Sequence, residues 1–267
     1  MFRKKHSPHD PGAAGLELEA VDVRYGAVRV LEQITLRVEA GERMAVIGPN
    51  GAGKSSLFRA CAGLLTPATG HIRIGGSQPG LHTCIAYLAQ RSEVDWQFPV
   101  TVADAVLMGR IGRRGFFHRL NREDRSIAAD CLDTVGMADL SRRQIGELSG
   151  GQQQRMFIAR ALAQEAGIML MDEPFAALDA PAREDIFGIL DQLRDKGVAV
   201  LVALHDLRLA AERFDRVLLL NRKIIAVGKA PAVLTPEALG EAYGGRLHLV
   251  HTADGHLVFA DTCCEGG

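Results

Sequence analysis

Neither sign of charge dominates this sequence, since 31 Lys and Arg face 32 Asp and Glu. That balance excludes a broad electrostatic footprint for nucleic acid or an anionic membrane, so nucleic acid is not an expected partner. Long apolar runs are also lacking. The longest, 198–204, falls far short of the ~20 residues that span a bilayer, and the opening Met1-Phe-Arg-Lys-Lys-His-Ser-Pro has no apolar segment of a secretion signal. The cysteines Cys61, Cys84, Cys131, Cys263 and Cys264 lack CxxC spacing and read as reduced thiols of the cytosol. No internal repeat or low-complexity tract is evident. A chain of 267 residues holds one large α/β core and a small insertion, because single cores stop growing near ~250–300 residues.

What is present is patterned. Residues 1–15, rich in Pro, Gly, His and charge, are expected to form a disordered lead-in. Leu16, Leu18 and Ala20 alternate with Glu17 and Glu19, and Ile34, Leu36 and Val38 alternate with Thr35, Arg37 and Glu39, which predicts half-buried antiparallel strands. Continuous apolar runs at 44–47, 168–171 and 198–204 predict fully buried strands. Helices are expected over 56–64 and after Pro181, a residue suited to a first helical turn, so the core is a parallel sheet covered on both faces. From 101 to 166 the pattern is helical, with Thr101-Val-Ala-Asp and Asn121-Arg-Glu-Asp as helix starts. Near the end, apolar runs flank Asp254-Gly255, a dipeptide suited to a hairpin turn.

Gly48, Pro49, Asn50, Gly51, Ala52, Gly53, Lys54 and Ser55 form GxxxxGKS between a buried strand and a helix that continues with Ser56. Glycines let the backbone bend so that N–H groups point at phosphate oxygens, and the helix adds its positive end. Lys54 is expected to bridge the terminal phosphates and Ser55 to hold Mg²⁺. Asp172 and Glu173 end an apolar strand. Beside a phosphate loop, Asp172 is assigned to Mg²⁺ and Glu173 to the water-activating base.

Leu148-Ser-Gly-Gly-Gln-Gln-Gln-Arg155 resembles the signature of ABC ATPases, and the resemblance extends over 16–228. Ser149, Gly150, Gly151 and Gln152 open a helix and offer a hydroxyl and amides to an anion. The resemblance implies that Tyr25 stacks on adenine, that Gln90 contacts Mg²⁺ or water and senses the permease, and that His205 holds the γ-phosphate. Ala177-Leu178-Asp179 matches the loop that crosses a dimer interface. Ala176, often Ser in the family, and Leu204, often Thr, depart from the pattern without removing a reacting group.

The implied fold is an α/β P-loop NTPase of the ABC ATPase type, with a mixed-sheet core, an antiparallel β subdomain and an inserted α-helical subdomain. Its expected organisation is an ATPase domain over 16–240, with the helical part at about 96–165, and a hairpin and tail over 241–267. The implied ligands are ATP and Mg²⁺. The implied assembly is a head-to-tail homodimer at the cytoplasmic face of the membrane. It would drive a separate permease served indirectly by a solute-binding protein.

Val94-Asp-Trp-Gln-Phe-Pro-Val-Thr-Val102 and the following Met108-Gly-Arg resemble manganese, zinc and iron-chelate uptake ATPases. Siderophore or haem import is the neighbouring alternative, with a soluble, non-transport ABC ATPase as the alternative of another class. Arg110, Arg113, Arg114, His118, Arg119 and Arg122, interleaved with Phe116 and Phe117, form a local basic cluster that reads as a solvated loop or as a contact for a permease loop, lipid headgroups or, against the balanced overall charge, nucleic acid. His248, His251, His256, Cys263 and Cys264 lack tight metal-ligand spacing.

Overall fold

The computed structural model describes residues 15–75, 85–90, 94–111, 119–176 and 178–244, together with the backbone of two strands, Leu247–His251 and Leu257–Asp261. Residues 1–14 of the lead-in expected over 1–15, Ala177, and the Asp254-Gly255 turn lie outside the described residues.

Strand β1 (Leu16–Tyr25) pairs antiparallel with β2 (Val28–Val38) on one side and β4 (Thr69–Ile74) on the other. Leu16 and Leu18 stand opposite Val38 and Leu36, and all four are buried, so the period-2 pattern does form one inward face. Ala20 breaks it. It is exposed at φ 47, the register shifts there, and burial resumes one residue later at Val21, so the inward position expected for Ala20 is corrected by a bulge. Gly70 accommodates that bulge, because a Cβ there would stand 2.3 Å from the Ala20 carbonyl oxygen.

The central sheet runs β5 (Ile85–Leu88), β6 (Ile168–Asp172), β7 (Ala199–Leu204), β3 (Arg43–Ile47), β8 (Arg216–Asn221), β9 (Lys223–Gly228). All neighbours are parallel except β8 and β9, which makes the sheet mixed. Successive side chains point to opposite faces. Met44, Val46, Leu170 and Leu201 pack with Leu57 and Phe58 and with the β1, β2 and β4 sheet. Ala45, Ile47, Met171 and Val202 pack with the helices beyond the other face. Coverage on both faces explains why these strands read as continuous apolar runs.

Helix α1 (Lys54–Cys61) begins and ends earlier than the expected 56–64. It stops where Gly63 turns left-handed at φ 74 and the Leu64 N–H donates back to the Arg59 carbonyl, a glycine-based C-cap. Burial pushes the Cys61 thiol up to about 12, which leaves it unreactive. Between β5 and β6 come α2 (Val102–Leu107), α3 (Arg122–Thr134) and α4 (Gly150–Ala163), starting at the caps Thr101, Asn121 and Ser149. The chain continues through α5 (Ala180–Asp195), α6 (Leu207–Arg213), α7 (Ala230–Val233) and α8 (Pro236–Tyr243). Strands β10 (Leu247–His251) and β11 (Leu257–Asp261) pair antiparallel.

Arg110 is not part of an exposed basic cluster. It is buried, donating to Asp124 at 3.2 Å, to the Ala163 carbonyl at 2.8 Å and to Glu165 at 2.7 Å, so it ties the end of α2 to the start of α3 and the end of α4. Arg113, Arg114, Phe116, Phe117 and His118 lie outside the described residues. Removing one partner of a buried pair costs about 3–5 kcal/mol. Arg110→Ala is therefore expected to lower the unfolding free energy by about that amount in a urea titration, whereas a surface arginine would change it by less than about 1 kcal/mol.

Candidate nucleotide-binding site

The loop after β3 is shaped by close approaches that only glycine permits. At Gly48 (φ 156) a Cβ would lie 2.0 Å from the Leu220 carbonyl oxygen, and at Gly53 (φ 99) it would lie 2.7 Å from Leu31 Cδ2 and 2.9 Å from the Val30 carbonyl oxygen. The loop is thus pressed onto β2 and the end of β8. Gly53 is also the N-cap of α1 and makes no side-chain cap bond, so the first amides of that helix stay available at the loop.

Lys54 folds back over this loop. Its Nζ donates to the carbonyls of Gly48 at 2.7 Å and Pro49 at 3.2 Å, and the residue is buried. Burial lowers its pKa, while the carboxylates of Glu173 and Asp172 act in the opposite direction. Asp172 ends β6, only 3 % exposed. Glu173 follows with a left-handed backbone at φ 52, a conformation a non-glycine residue keeps only where its surroundings impose it, and such strain concentrates at functional positions. His205, just past β7, brings Nε2 to 2.6 Å from Glu173 Oε1.

A cleft of ≈ 290 Å³ is lined by the loop residues Asn50 to Ser56 together with Val30, Gln90 and Glu173. The fold therefore gathers Lys54, Ser55, Ser56, Gln90 and Glu173 from three separate parts of the chain, with His205 bonded to Glu173 behind them. The donor chemistry fits a hard divalent cation, which prefers oxygen: Ser55 and Gln90 bring oxygens to the cleft, and Asp172, which does not line it, is close enough to act electrostatically on Lys54. Tyr25 ends β1 with 44 % of its surface exposed and does not line this cleft.

The remaining candidates are elsewhere. Ser149 caps α4, with its Oγ 3.4 Å from the Gln152 N–H while Gln152 Oε1 accepts the Ser149 N–H at 2.9 Å. Asp179 caps α5 by accepting the Ala182 N–H at 2.9 Å. Neither helix start lines the cleft of its own chain. Sequence reading missed Val30 and Leu220, whose contributions are wall and backbone and leave no chemical signature. It also missed Asp206, which caps α6 through the Leu209 N–H, although an Asp directly before an apolar helix is a recognisable start signal.

The model of the ABC transporter family matches residues 31–176, which include the phosphate loop, Gln90, the 148–155 segment and the Asp172-Glu173 pair. The chain belongs to the ABC transporter family. Among similar ABC proteins is the manganese transport system ATP-binding protein MntB of Bacillus subtilis, 46% identical over 90% of this chain and 98% of its own length. Another is the zinc transport system ATP-binding protein TroB of Treponema pallidum, 44% identical over 88% and 89%. Among solved ABC structures, a dimeric post-hydrolysis state of the ATP-binding cassette MJ0796 bound to ADP and Pi superposes with a TM-score of 0.70 at 27% identity, covering 80% of this chain and 98% of that one. As an ABC ATPase the chain binds nucleotide and hydrolyses ATP. Among the described residues no helix is long and apolar enough to cross a membrane.

Proposed function

We propose that this chain is the ATP-driven motor of an importer for a divalent transition metal, Mn²⁺ or Zn²⁺, working as a head-to-tail homodimer on a separate permease at the cytoplasmic face. The observation that carries it is the split of the site. Lys54, Ser55, Gln90 and Glu173 share one cleft, whereas the helix starts at Ser149 and Asp179 do not line it and remain free to meet the nucleotide held by a second copy. The dimeric cassette bound to ADP and Pi supports two-fold assembly, and the names of the manganese and zinc relatives support the cargo. A solute-binding protein would deliver that cargo to the permease.

In this reading Tyr25 stacks on adenine, and the amides of Gly48 to Ser56 receive the phosphates. Lys54 exchanges its Gly48 and Pro49 carbonyls for β- and γ-phosphate oxygens. Ser55, Gln90 and Asp172 would hold Mg²⁺, which would supply positive charge to offset that of the phosphates. His205 Nε2 turns from Glu173 to the γ-phosphate. The released Glu173 carboxylate then takes a proton from water as the water oxygen bonds to the γ-phosphorus and the bond to the β,γ-bridging oxygen breaks. Ser149, Gly150, Gly151, Gln152 and Asp179 of one copy close on the nucleotide of the other, so loss of the γ-phosphate contacts opens the dimer.

The segment after Gln90 serves as the permease-facing surface. Trp96 is fixed edge-on against Phe157, with ring centroids 5.5 Å apart, while Phe98 and Met108 are exposed. It lacks clustered carboxylates and imidazoles, so it shapes a contact and does not ligate the cargo. Reconstitution in liposomes with its permease and binding protein is expected to give ATP-dependent uptake of Mn²⁺ or Zn²⁺. Uptake of ferric siderophore or haem with no response to free divalent metal would overturn the cargo assignment.

A further inference from the structure

The phosphate loop rests on a turn that belongs to none of the nucleotide-binding motifs. Between β8 and β9 the chain reverses at Asn221, Arg222 and Lys223, and Arg222 is left-handed at φ 58 without being glycine. Its two backbone groups bond in different directions. The Arg222 N–H donates to the Ala52 carbonyl of the phosphate loop at 2.8 Å, and the Arg222 carbonyl accepts the Glu32 N–H of β2 at 2.8 Å. Glu32 also pairs with Lys223 at 3.2 Å.

Val30 and Leu31, next to Glu32, are the floor under Gly53, and Leu220, two residues before Arg222, is the floor under Gly48. Residues 30–32 and 220–222 therefore form one backbone cradle beneath the loop. Arg222 is the node that joins its two halves. The cradle is fastened once more from behind: Asn221 Nδ2 donates at 2.9 Å to the Ala242 carbonyl near the end of α8. That bond is part-buried and links the loop's support to the helix that precedes the terminal hairpin.

We infer that Asn221 and Arg222 are positioning residues for ATP, setting the phosphate loop through the Arg222 backbone and the Asn221 side chain without touching nucleotide. The inference rests on ATP binding at that loop. The loop holds the phosphates before and during transfer, so a displaced cradle weakens ground state and transition state alike. The signature is a raised KM with kcat kept at saturation, and a role in stability alone would not separate the two.

The test measures Kd for ATP, KM and kcat on the full chain with Mg²⁺, for the parent, Arg222→Val, Arg222→Gly and Asn221→Ala. A β-branched residue is an outlier at positive φ, whereas glycine adopts it freely. Arg222→Val is expected to weaken ATP about tenfold with kcat retained, and Arg222→Gly to restore affinity to within about twofold of the parent. Asn221→Ala, which keeps the turn and loses one hydrogen bond, is expected to raise Kd and KM about three- to tenfold. Parental affinity in both Arg222→Val and Asn221→Ala would overturn the inference while leaving ATP binding intact. Equal weakening by valine and glycine would overturn it too, by moving the effect to the Arg222 side chain. A parent that binds no ATP would remove the underlying reading as well. Should Arg222→Val fail to fold, the KM and kcat of Asn221→Ala decide.

Discussion

Replacing Glu173 by Gln is expected to lower ATP turnover by about 10²–10⁴ while ATP binding persists, because the amide keeps the shape of the side chain and cannot accept a proton from water. The dimer should then accumulate with ATP bound, visible as an ATP-dependent doubling of mass in light scattering. Glu173 is suited to the role by three observations on separate levels. It follows a strand whose burial fixes its start, it sits on the wall of the cleft, and its left-handed backbone is imposed at φ 52. Its carboxylate is paired with His205 at 2.6 Å, which holds the side chain at the wall of that cleft. Near-parental hydrolysis in Glu173→Gln would assign the base elsewhere.

Two further variants should fail for different reasons. Lys54→Ala deletes the cation that spans the loop and is expected to lose most nucleotide affinity, since a charge-assisted contact to phosphate contributes about 1.5–3 kcal/mol, or roughly ten- to a hundredfold in Kd. Ser149→Arg leaves the cleft of its own chain untouched, because the α4 start does not line it. It should bind ATP as a monomer with near-parental affinity, yet show no ATP-dependent dimer and no turnover. Nucleotide titration and light scattering on the same samples separate the two defects.

Parts of this molecule were legible in the sequence because their chemistry is local. The phosphate loop needs glycines, a lysine and a hydroxyl within eight consecutive positions, and the start of α4 follows from Ser149 as its cap. The capped starts at Thr101 and Asn121 were legible for the same reason. What could not be read is long-range or purely backbone. Arg110 counted as one charge among several in a row, and only the fold shows it enclosed by Asp124, Ala163 and Glu165. Ala20 fits an alternation that a bulge interrupts, and a bulge adds one residue without changing composition. Strand β4 mixes glycine and histidine with its apolar residues, and β8 and β9 turn through Asn221-Arg222-Lys223, which lacks the glycine expected of a tight hairpin. The cradle under the phosphate loop is built from carbonyls and N–H groups, which every residue has.

The central claim is that each ATP is shared between the cleft of one copy and the α4 and α5 starts of another. The most direct test mixes Lys54→Ala with Ser149→Arg, each inactive alone, and measures ATP hydrolysis. A mixed dimer has one site with both defects and one with an intact phosphate loop facing an intact Ser149. Random pairing is therefore expected to restore about a quarter of the parental rate per chain. If mixed dimers form and hydrolysis stays at the level of the separate variants, ATP is not shared across two copies in this way.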